Sequence, residues 1–389
     1  MVGFARYSNS ALALAALLAA GCEDQLPPLE GTTSLRVELL APTDTGSPSD
    51  RLADDARDVV FDITALNADG EVDASFSREV DMYVHHLGSL TPSPESGQVL
   101  RRIMLTDGVA QNVAQELPRA FGQTFLWVED TAGDDATFAT GTSDTLWFRD
   151  PWIADVSTPD DEAALDALES SPLELKQIII RDSRYGERGR LVATGAYAQG
   201  YTLSDVECAD AAGTPPCTTG AYDHLFVFTF SRPEGETGLD IENGHAVAQV
   251  GGGISEFNGL TEVGFPSTVL AGDEPDRALL PEPVVIQPEW IDTLIEMERV
   301  EAGLVAVENG LLCPLDDDFD TYGQWKLDIG KGCRDALNIV TQGQVAEFDP
   351  SEYTGQTIPR VVGTLRPINI GTFHVWLIYP REIEDLTLP

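Results

Sequence analysis

The second half of the chain repeats one sequence pattern. The first copy opens at Gly189–Ala193 (GRLVA) and the second at Ala302–Ala306 (AGLVA). A glycine follows the leucine of each opening, Gly244 after 53 residues and Gly355 after 51. Matched spacings over such a distance are typical of an internal repeat, so we expect two copies of one β-rich unit.

The stretches around these two glycines also match position by position. IENGHAVAQVGGGISEFNG in the first copy aligns with EYTGQTIPRVVGTLRPINIG in the second. Each copy is predicted to contain a strand, a cysteine-bearing loop, a middle strand, a turn glycine and two closing strands. The predicted middle strands are His224–Phe230 and Gln324–Ile329. The aligned pairs are Gly252 with Gly363, Ile254 with Leu365, and Phe257 with Ile368.

This strand order resembles that of the small OB-type barrels of secreted bacterial proteins. The final stretch, VVGTLRPINIGTFHVWLIYPREIEDLTL, resembles the end of such a domain, with its terminal Pro-Arg-x-x-x-Asp at residues 380–385. The resemblance implies two OB-like small β-barrels, one over residues 173–280 and one over 281–389, and it implies a fold rather than a chemistry. Residues 281–288 form a proline-rich connector, and Glu289–Val300 is predicted to be a helix that leads into the second barrel.

Short strands separated by turn signals fill residues 34–150. The stretch VVFDITALNADGEVDASFSREV resembles the strand–turn–strand units of bacterial Ig-like domains, so we expect an Ig-like β-sandwich here and a mainly β protein overall. Turns are predicted at Asn67–Gly70, Thr91–Pro94 and Asp107-Gly108. Residues 151–172 are acidic and predict a linker with a short helix that begins at Thr158. The predicted strands are Leu35–Leu40, Val59–Leu66, Val80–Val84, Val99–Leu105, Thr124–Val128 and Thr145–Phe148.

The N-terminus has the layout of a secretory signal. Arg6 precedes an apolar stretch, Ala11–Ala20, and small residues then lead to a lone cysteine. The run from Leu18 to Cys22 (LAAGC) resembles the lipobox of bacterial lipoproteins, which implies a signal peptide over residues 1–21, acylation of Cys22 and a polar tether over 22–33. The alternative is an ordinary signal peptide that a cysteine follows by chance. No later apolar run approaches the roughly 20 residues of a membrane-spanning helix.

The composition restricts the partners of the chain. A hydrophobic content of 42% excludes global disorder. The formal net charge is −42 at pH 7, and a field of this sign repels the phosphate backbones on which nucleic-acid affinity depends. We therefore expect no nucleic-acid partner. The charge itself is typical of a solvated surface in an exported protein.

Five cysteines are present, and four remain if Cys22 carries lipid. An oxidising export compartment favours disulfides between them. We predict the two local pairings, Cys208 with Cys217 and Cys313 with Cys333, because each pair lies inside one predicted barrel. A zinc site is the alternative, but the spacings are not those of CxxC motifs and no histidine lies near them in sequence.

No catalytic or cofactor-binding motif is found. HExxH, Walker A and G-x-S-x-G are absent, and Gly251–Gly253 lacks the third glycine of a dinucleotide loop and predicts a strand bulge instead. The adjacent His85 and His86 would point to opposite faces of a strand, so they are not placed to share a metal. We therefore predict no catalytic residue and no cofactor.

Two acidic groups carry the oxygen ligands that calcium prefers. The first is the run Asp316–Asp318 with Asp320, and the second is Asn67 with Asp69 and Asp73. Neither has the glycine placement of an EF-hand. Solvated acidic loops explain both groups as well, so we predict no metal site.

These observations predict a non-enzymatic, lipid-anchored exported protein that serves binding or assembly at the cell envelope. Its partners would be the membrane, through the N-terminal lipid, and an envelope protein or a glycan. The first alternative is a carbohydrate- or polymer-binding lipoprotein, and the second is a hydrolase with an unrecognised site. Aromatic and amide side chains in one groove would favour the first, and a buried histidine–carboxylate pair in a cleft would favour the second. The expected location is the outer membrane or the cell surface.

Overall fold

Three β-structured units follow one another along the chain. The computed structural model describes residues 31–86, 99–117, 120–130, 139–159, 173, 176–370 and 373–389. Of these described residues 48% are in strands and 12% in helices, which confirms the predicted mainly β class. The predicted signal peptide, Cys22 and the turn at Thr91–Pro94 lie outside the described residues, as does nearly all of the helix predicted from Thr158.

The first unit packs two sheets around one core. Its strands are β1 (Ser34–Ala41), β2 (Asp58–Leu66), β3 (Glu79–His86), β4 (Arg101–Met104), β5 (Val109–Glu116), β6 (Gln123–Glu129), β7 (Thr140–Thr142) and β8 (Leu146–Trp147). One sheet has the order β1–β2–β5 and the other the order β4–β3–β6–β7, with β8 paired to β6. Alternate residues of both sheets, including Phe61, Ile63 and Leu126, are fully buried between them.

Six of these eight strands coincide with predicted strands, whereas β5 and β7 were not predicted. The reason is visible in β5 (VAQNVAQE), which lies at the edge of its sheet and has no fully buried residue. Its polar positions hide the alternation on which strand prediction depends. A helix of one turn and a half, α1 (Ile153–Ser157), follows the first unit.

The second unit contains a sheet that closes on itself. Its strands are β9 (Gln177–Ile180), β10 (Gly189–Tyr197), β11 (Gly200–Cys208), β12 (Cys217–Thr218), β13 (His224–Phe228), β14 (Ala246–Phe257) and β15 (Leu260–Leu270). The order is β10–β11–β13–β15–β14, and β14 pairs back to β10. The pairing of β13 with β15 is parallel, and the other pairings are antiparallel. We call this closed, barrel-like sheet barrel 1.

The third unit closes in the same way. Its helices are α2 (Leu294–Glu298) and α3 (Asp317–Tyr322), and its strands are β16 (Val284–Val285), β17 (Leu304–Leu312), β18 (Gln324–Asp328), β19 (Leu337–Val340), β20 (Thr357–Ile370), β21 (Phe373–Tyr379) and β22 (Leu386–Thr387). The order is β17–β18–β19–β21–β20, β20 pairs back to β17, and β19 is parallel to β21. We call this closed sheet barrel 2. Trp325 is the largest fully buried side chain in its core.

The two barrels share one strand order, as expected for a repeat, but the predicted match of their middle strands is wrong. His224–Phe230 contains β13, the third strand of barrel 1, whereas Gln324–Ile329 contains β18, the second strand of barrel 2. The two turn glycines also bond to different positions along the first strand of their barrels. Gly244 N–H donates to Ala193 O and Gly355 N–H to Leu312 O.

The glycine run in β14 forms the predicted bulge. Gly251 pairs with Ser267 and Gly253 with Gly264, so Gly252 alone faces two residues of β15. A side chain on Gly252 would meet Gly264 O at 2.6 Å, which explains why glycine is needed there. One of the two residues of β15 opposite Gly252 is Phe265, and its ring is exposed.

Both predicted disulfides are present. Cys208 is bonded to Cys217, which ties the end of β11 to β12. Cys313 is bonded to Cys333, which ties the end of β17 to the connection between β18 and β19. The two bonds therefore occupy different places in the repeated strand order.

Candidate binding groove between the two barrels

Barrel 2 covers one outer face of barrel 1. Thr202 and Ser204 on β11 alternate with core residues such as Leu203 and therefore point out of barrel 1, yet both are fully buried. Thr194 Oγ1 lies 3.1 Å from Thr202 Oγ1 and 3.1 Å from Ser204 Oγ. This row of hydroxyl groups is polar but faces protein rather than water.

Direct hydrogen bonds join the two barrels along this face. Tyr197 O–H donates to Thr364 Oγ1 at 2.6 Å. Arg381 Nη1 donates to Thr194 O at 2.7 Å. A small apolar cluster that includes Tyr197, Phe226 and Ala302 is buried beside these bonds. The relative placement of the barrels therefore depends on side chains from both.

A groove of about 410 Å³ remains open next to this contact. Aromatic rings from both barrels line it, together with side-chain amides. The aromatic residues are Tyr197, Phe226, Phe228, Phe257 and Tyr379, and the amides are Gln199, Asn258, Gln342 and Gln344. The described residues that line the groove include one carboxylate, Glu262, and one cation, Arg366.

Arg366 is held between ring faces. Its guanidinium carbon lies 4.0 Å from the ring centroid of Tyr197, 4.3 Å from that of Phe226 and 5.0 Å from that of Tyr379. Its Nε and Nη2 atoms are buried and find no hydrogen-bond acceptor among the described residues. Burial lowers the pKa of Arg366, and the nearby Tyr197, Tyr379 and Glu262 oppose this shift. The cation thus fixes three rings at the base of the groove.

Glu262 is nearly buried on the same side. Burial raises the pKa of this carboxyl, while a hydrogen bond from Ser255 and the charge of Arg366 lower it. The oxygens of Glu262 accept hydrogen bonds, and the side-chain amides of the groove both donate and accept them. The groove therefore offers polar contacts that suit uncharged hydroxyl and amide groups.

Sequence reasoning missed this groove. The available signal was Arg366, because it is the only charged residue in the run VVGTLRPINI. The structure places this cation among aromatic rings. The rings themselves come from strands far apart in the chain, so no local pattern brings them together.

The two acidic groups are occupied by the chain's own donors. Lys326 Nζ lies 2.7 Å from Asp316 Oδ2 and 2.7 Å from Asp318 Oδ2, where a cation would bind. Asn67 Oδ1 accepts N–H groups of its own turn at 3.0 Å, and Asp73 accepts from Thr32 at 2.8 Å. No group of three or more His, Cys, Asp or Glu side chains in the described ranges is arranged to hold a metal ion.

His224 on β13 is a buried histidine with a resolved environment. It is buried, and burial lowers its pKa to about 3. Its Nδ1 lies 2.9 Å from Ser204 Oγ, so the ring is hydrogen-bonded to a hydroxyl rather than to a carboxylate. It lies under barrel 2, where a side chain on Gly303 would come within 2.6 Å of the ring. A neutral, enclosed imidazole of this kind serves packing.

Comparison with known proteins gives no assignment. No protein-family model matches the chain, and no curated protein matches it significantly. Of the helices in the described ranges, none combines the length and hydrophobicity that a membrane crossing requires.

Proposed function

We propose that this chain is an exported, lipid-anchored, non-enzymatic protein of the cell envelope that binds a neutral glycan in the groove between its barrels. The observation that carries the proposal is the groove itself, in which five aromatic rings and four side-chain amides converge. The first unit would be an Ig-like sandwich, and the outer membrane or the cell surface is the proposed location.

The strand order supports an OB-type assignment for both barrels. Each closes in the order first, second, third, fifth, fourth, with the third and fifth strands parallel. OB barrels bind extended ligands on the face of their second and third strands. In barrel 1 that face is largely covered by barrel 2, and the groove is the part that stays open.

The lining of the groove favours a neutral glycan. The apolar C–H face of a sugar ring packs on the electron-rich face of an aromatic ring. Side-chain amides donate and accept hydrogen bonds at once, which matches sugar hydroxyls. A polyanion would have to approach against the field of a chain with a net charge of −42.

The same lining argues for binding rather than hydrolysis. Glycoside hydrolases generally use a pair of carboxyl groups on opposite sides of the bond that is cut. Among the described residues that line the groove, Glu262 supplies one such group. We therefore propose no catalytic residue in this protein.

The groove can be tested with neutral β-1,4-linked glucose and N-acetylglucosamine oligomers. We expect the mature chain to bind at least one series, and Phe228→Ala to weaken it by about tenfold through loss of one stacked ring. Isothermal titration calorimetry measures both. Tyr322→Ala, at an exposed ring on α3 outside the groove, is the matched control.

Failure of every oligomer to bind would contradict the proposed function. So would tight binding of single-stranded DNA or RNA at about 50 mM salt that weakens steeply as salt is added, because such binding is driven by phosphate contacts.

Attachment of lipid to Cys22 is a separate prediction. Metabolic labelling with a fatty-acid analogue is expected to mark the native chain and not Cys22→Ser, because only a thiol at the new N-terminus is acylated. Native chain should also sediment with membranes, and the variant should not. Equal labelling of both chains would refute acylation at Cys22.

A further inference from the structure

A row of phenylalanine rings leaves the groove and crosses barrel 1. Phe228 lines the groove, its ring centroid lies 4.4 Å from that of Phe230, and Phe230 lies 5.0 Å from Phe265. Phe230 is 53% exposed and Phe265 is 84% exposed. We call these three residues the aromatic track. Large apolar side chains with this much exposure usually mark an interaction surface when they lie together.

The backbone of the track is strained. Phe230 has φ of 62° and Phe265 has φ of 50°, a region that bulky side chains rarely adopt. This conformation has an energetic cost for such residues and persists only where the surroundings impose it. At Phe265 the bulge opposite Gly252 imposes it. Core packing does not explain this cost, because the rings that result are exposed.

The track ends in a second cleft. This cleft, of about 540 Å³, lies between the first unit and barrel 1, and Phe265 lines it. It repeats the composition of the groove, with Trp147 and Phe121 as further rings and Gln123 and Gln249 as amides.

Two cations and one carboxylate of the second cleft form ion pairs with each other. Arg181 Nε lies 2.9 Å from Asp150 Oδ2, and Arg51 Nη2 lies 3.7 Å from the same oxygen. Burial raises the pKa of Asp150, and the charges of Arg181 and Arg51 oppose this shift. Both arginines are thus engaged with Asp150, and the rings and amides of the cleft offer contacts for a neutral ligand.

We infer that the groove, the aromatic track and the second cleft form one extended site for a single neutral glycan chain of several sugar units. This inference rests on the proposed function and specifies its ligand as a polymer. The ring spacings of 4.4 and 5.0 Å are close to the advance of one sugar along an extended chain, so successive sugars meet successive rings. Two separate small ligands would not need strained rings between their sites.

The length of the ligand provides the test. β-1,4-linked glucose and N-acetylglucosamine oligomers of two to eight units are titrated into the mature chain, with Phe228→Ala, Phe265→Ala and the control Tyr322→Ala alongside. We expect affinity to rise with length beyond three units. Phe265→Ala is expected to weaken the octamer by about tenfold and the dimer by less than twofold, whereas Phe228→Ala weakens both. Phe265 is so exposed that its removal opens no cavity in the core.

Three outcomes are distinguishable from the expected one. If Phe228→Ala weakens the octamer and Phe265→Ala does not, the groove binds glycan and the extended site is wrong. If no oligomer binds the native chain, both the proposed function and this inference fail. If reduced, carboxymethylated lactalbumin binds instead, and Phe265→Ala abolishes that binding, the track is a polypeptide-binding surface and the inference is overturned.

Discussion

Replacing Arg381 with alanine is expected to lower the free energy of unfolding of the barrels by about 3–5 kcal/mol. Arg381 and Asp385 are each only 6% exposed and form a two-pronged ion pair, with 2.6 Å from Nη2 to Oδ1 and 2.9 Å from Nε to Oδ2. Removal of the guanidinium leaves the Asp385 carboxylate buried without its cation. It also removes the hydrogen bond from Arg381 to Thr194 O of barrel 1.

Hydrogen exchange in increasing urea, followed on peptides of both barrels, measures this loss. The double variant Arg381→Met with Asp385→Leu is the matched control, because exchange of a whole buried ion pair for apolar groups costs far less than removal of one partner. A double variant as unstable as Arg381→Ala would show that the bond to Thr194, rather than the ion pair, carries the effect. A loss below about 1 kcal/mol for Arg381→Ala would contradict the prediction.

The sequence predicted features that depend on neighbours along the chain. Alternation located most strands of the first unit, and the glycine at position 252 predicted the bulge that the register confirms. The spacing of cysteines within each barrel predicted both disulfides. These signals are local because each arises from a strand, a turn or a short closed loop.

Features that depend on the docking of the barrels were not predictable in this way. Thr202 and Ser204 give β11 the polar alternation of a solvated face, yet barrel 2 buries that face. β11 therefore falls within the predicted cysteine-bearing loop, and the predicted match of the middle strands is wrong. Arg381 belongs to the terminal Pro-Arg-x-x-x-Asp motif, but its hydrogen bond to Thr194 O joins residues that lie 187 positions apart in the sequence. The groove also depends on how the two barrels dock, so its lining was not predictable from the sequence.

A second large effect on stability is expected at Glu301, which lies beside the β14–β15 hairpin of barrel 1. The carboxyl groups of Glu298 and Glu256 are close to it. Glu301 is 8% exposed, and its Oε1 accepts the Thr261 N–H at 2.9 Å. Burial, followed by the negative charges of Glu298 and Glu256, raises its pKa well above the ordinary 4.5. Ionised Glu301 is therefore disfavoured in the folded chain relative to the unfolded one.

The raised pKa of Glu301 determines how the stability of the fold depends on pH. Because the folded pKa is the higher one, the stabilising contribution of protonated Glu301 is fully present below about pH 4.5 and is lost as pH rises through the folded value. Glu301→Gln keeps the size and the acceptor oxygen of the side chain but cannot ionise. We expect it to stabilise the fold by about 1–3 kcal/mol at neutral pH, the scale of an uncompensated buried polar group, and to have little effect below pH 4.5.

The control must separate this local effect from net charge, because removal of any acid relieves repulsion in a chain with a net charge of −42. Glu308→Gln makes the same chemical change at an exposed glutamate on β17. Urea denaturation of both variants and of the native chain at pH 4 and pH 7 compares the two sites. A gain at pH 7 that is equal in the two variants would assign the effect to net charge, whereas a gain confined to Glu301→Gln that disappears at pH 4 is the expected result. Destabilisation by Glu301→Gln at pH 7 would show that the folded chain favours the ionised carboxylate and that folding lowers the pKa of Glu301 instead of raising it.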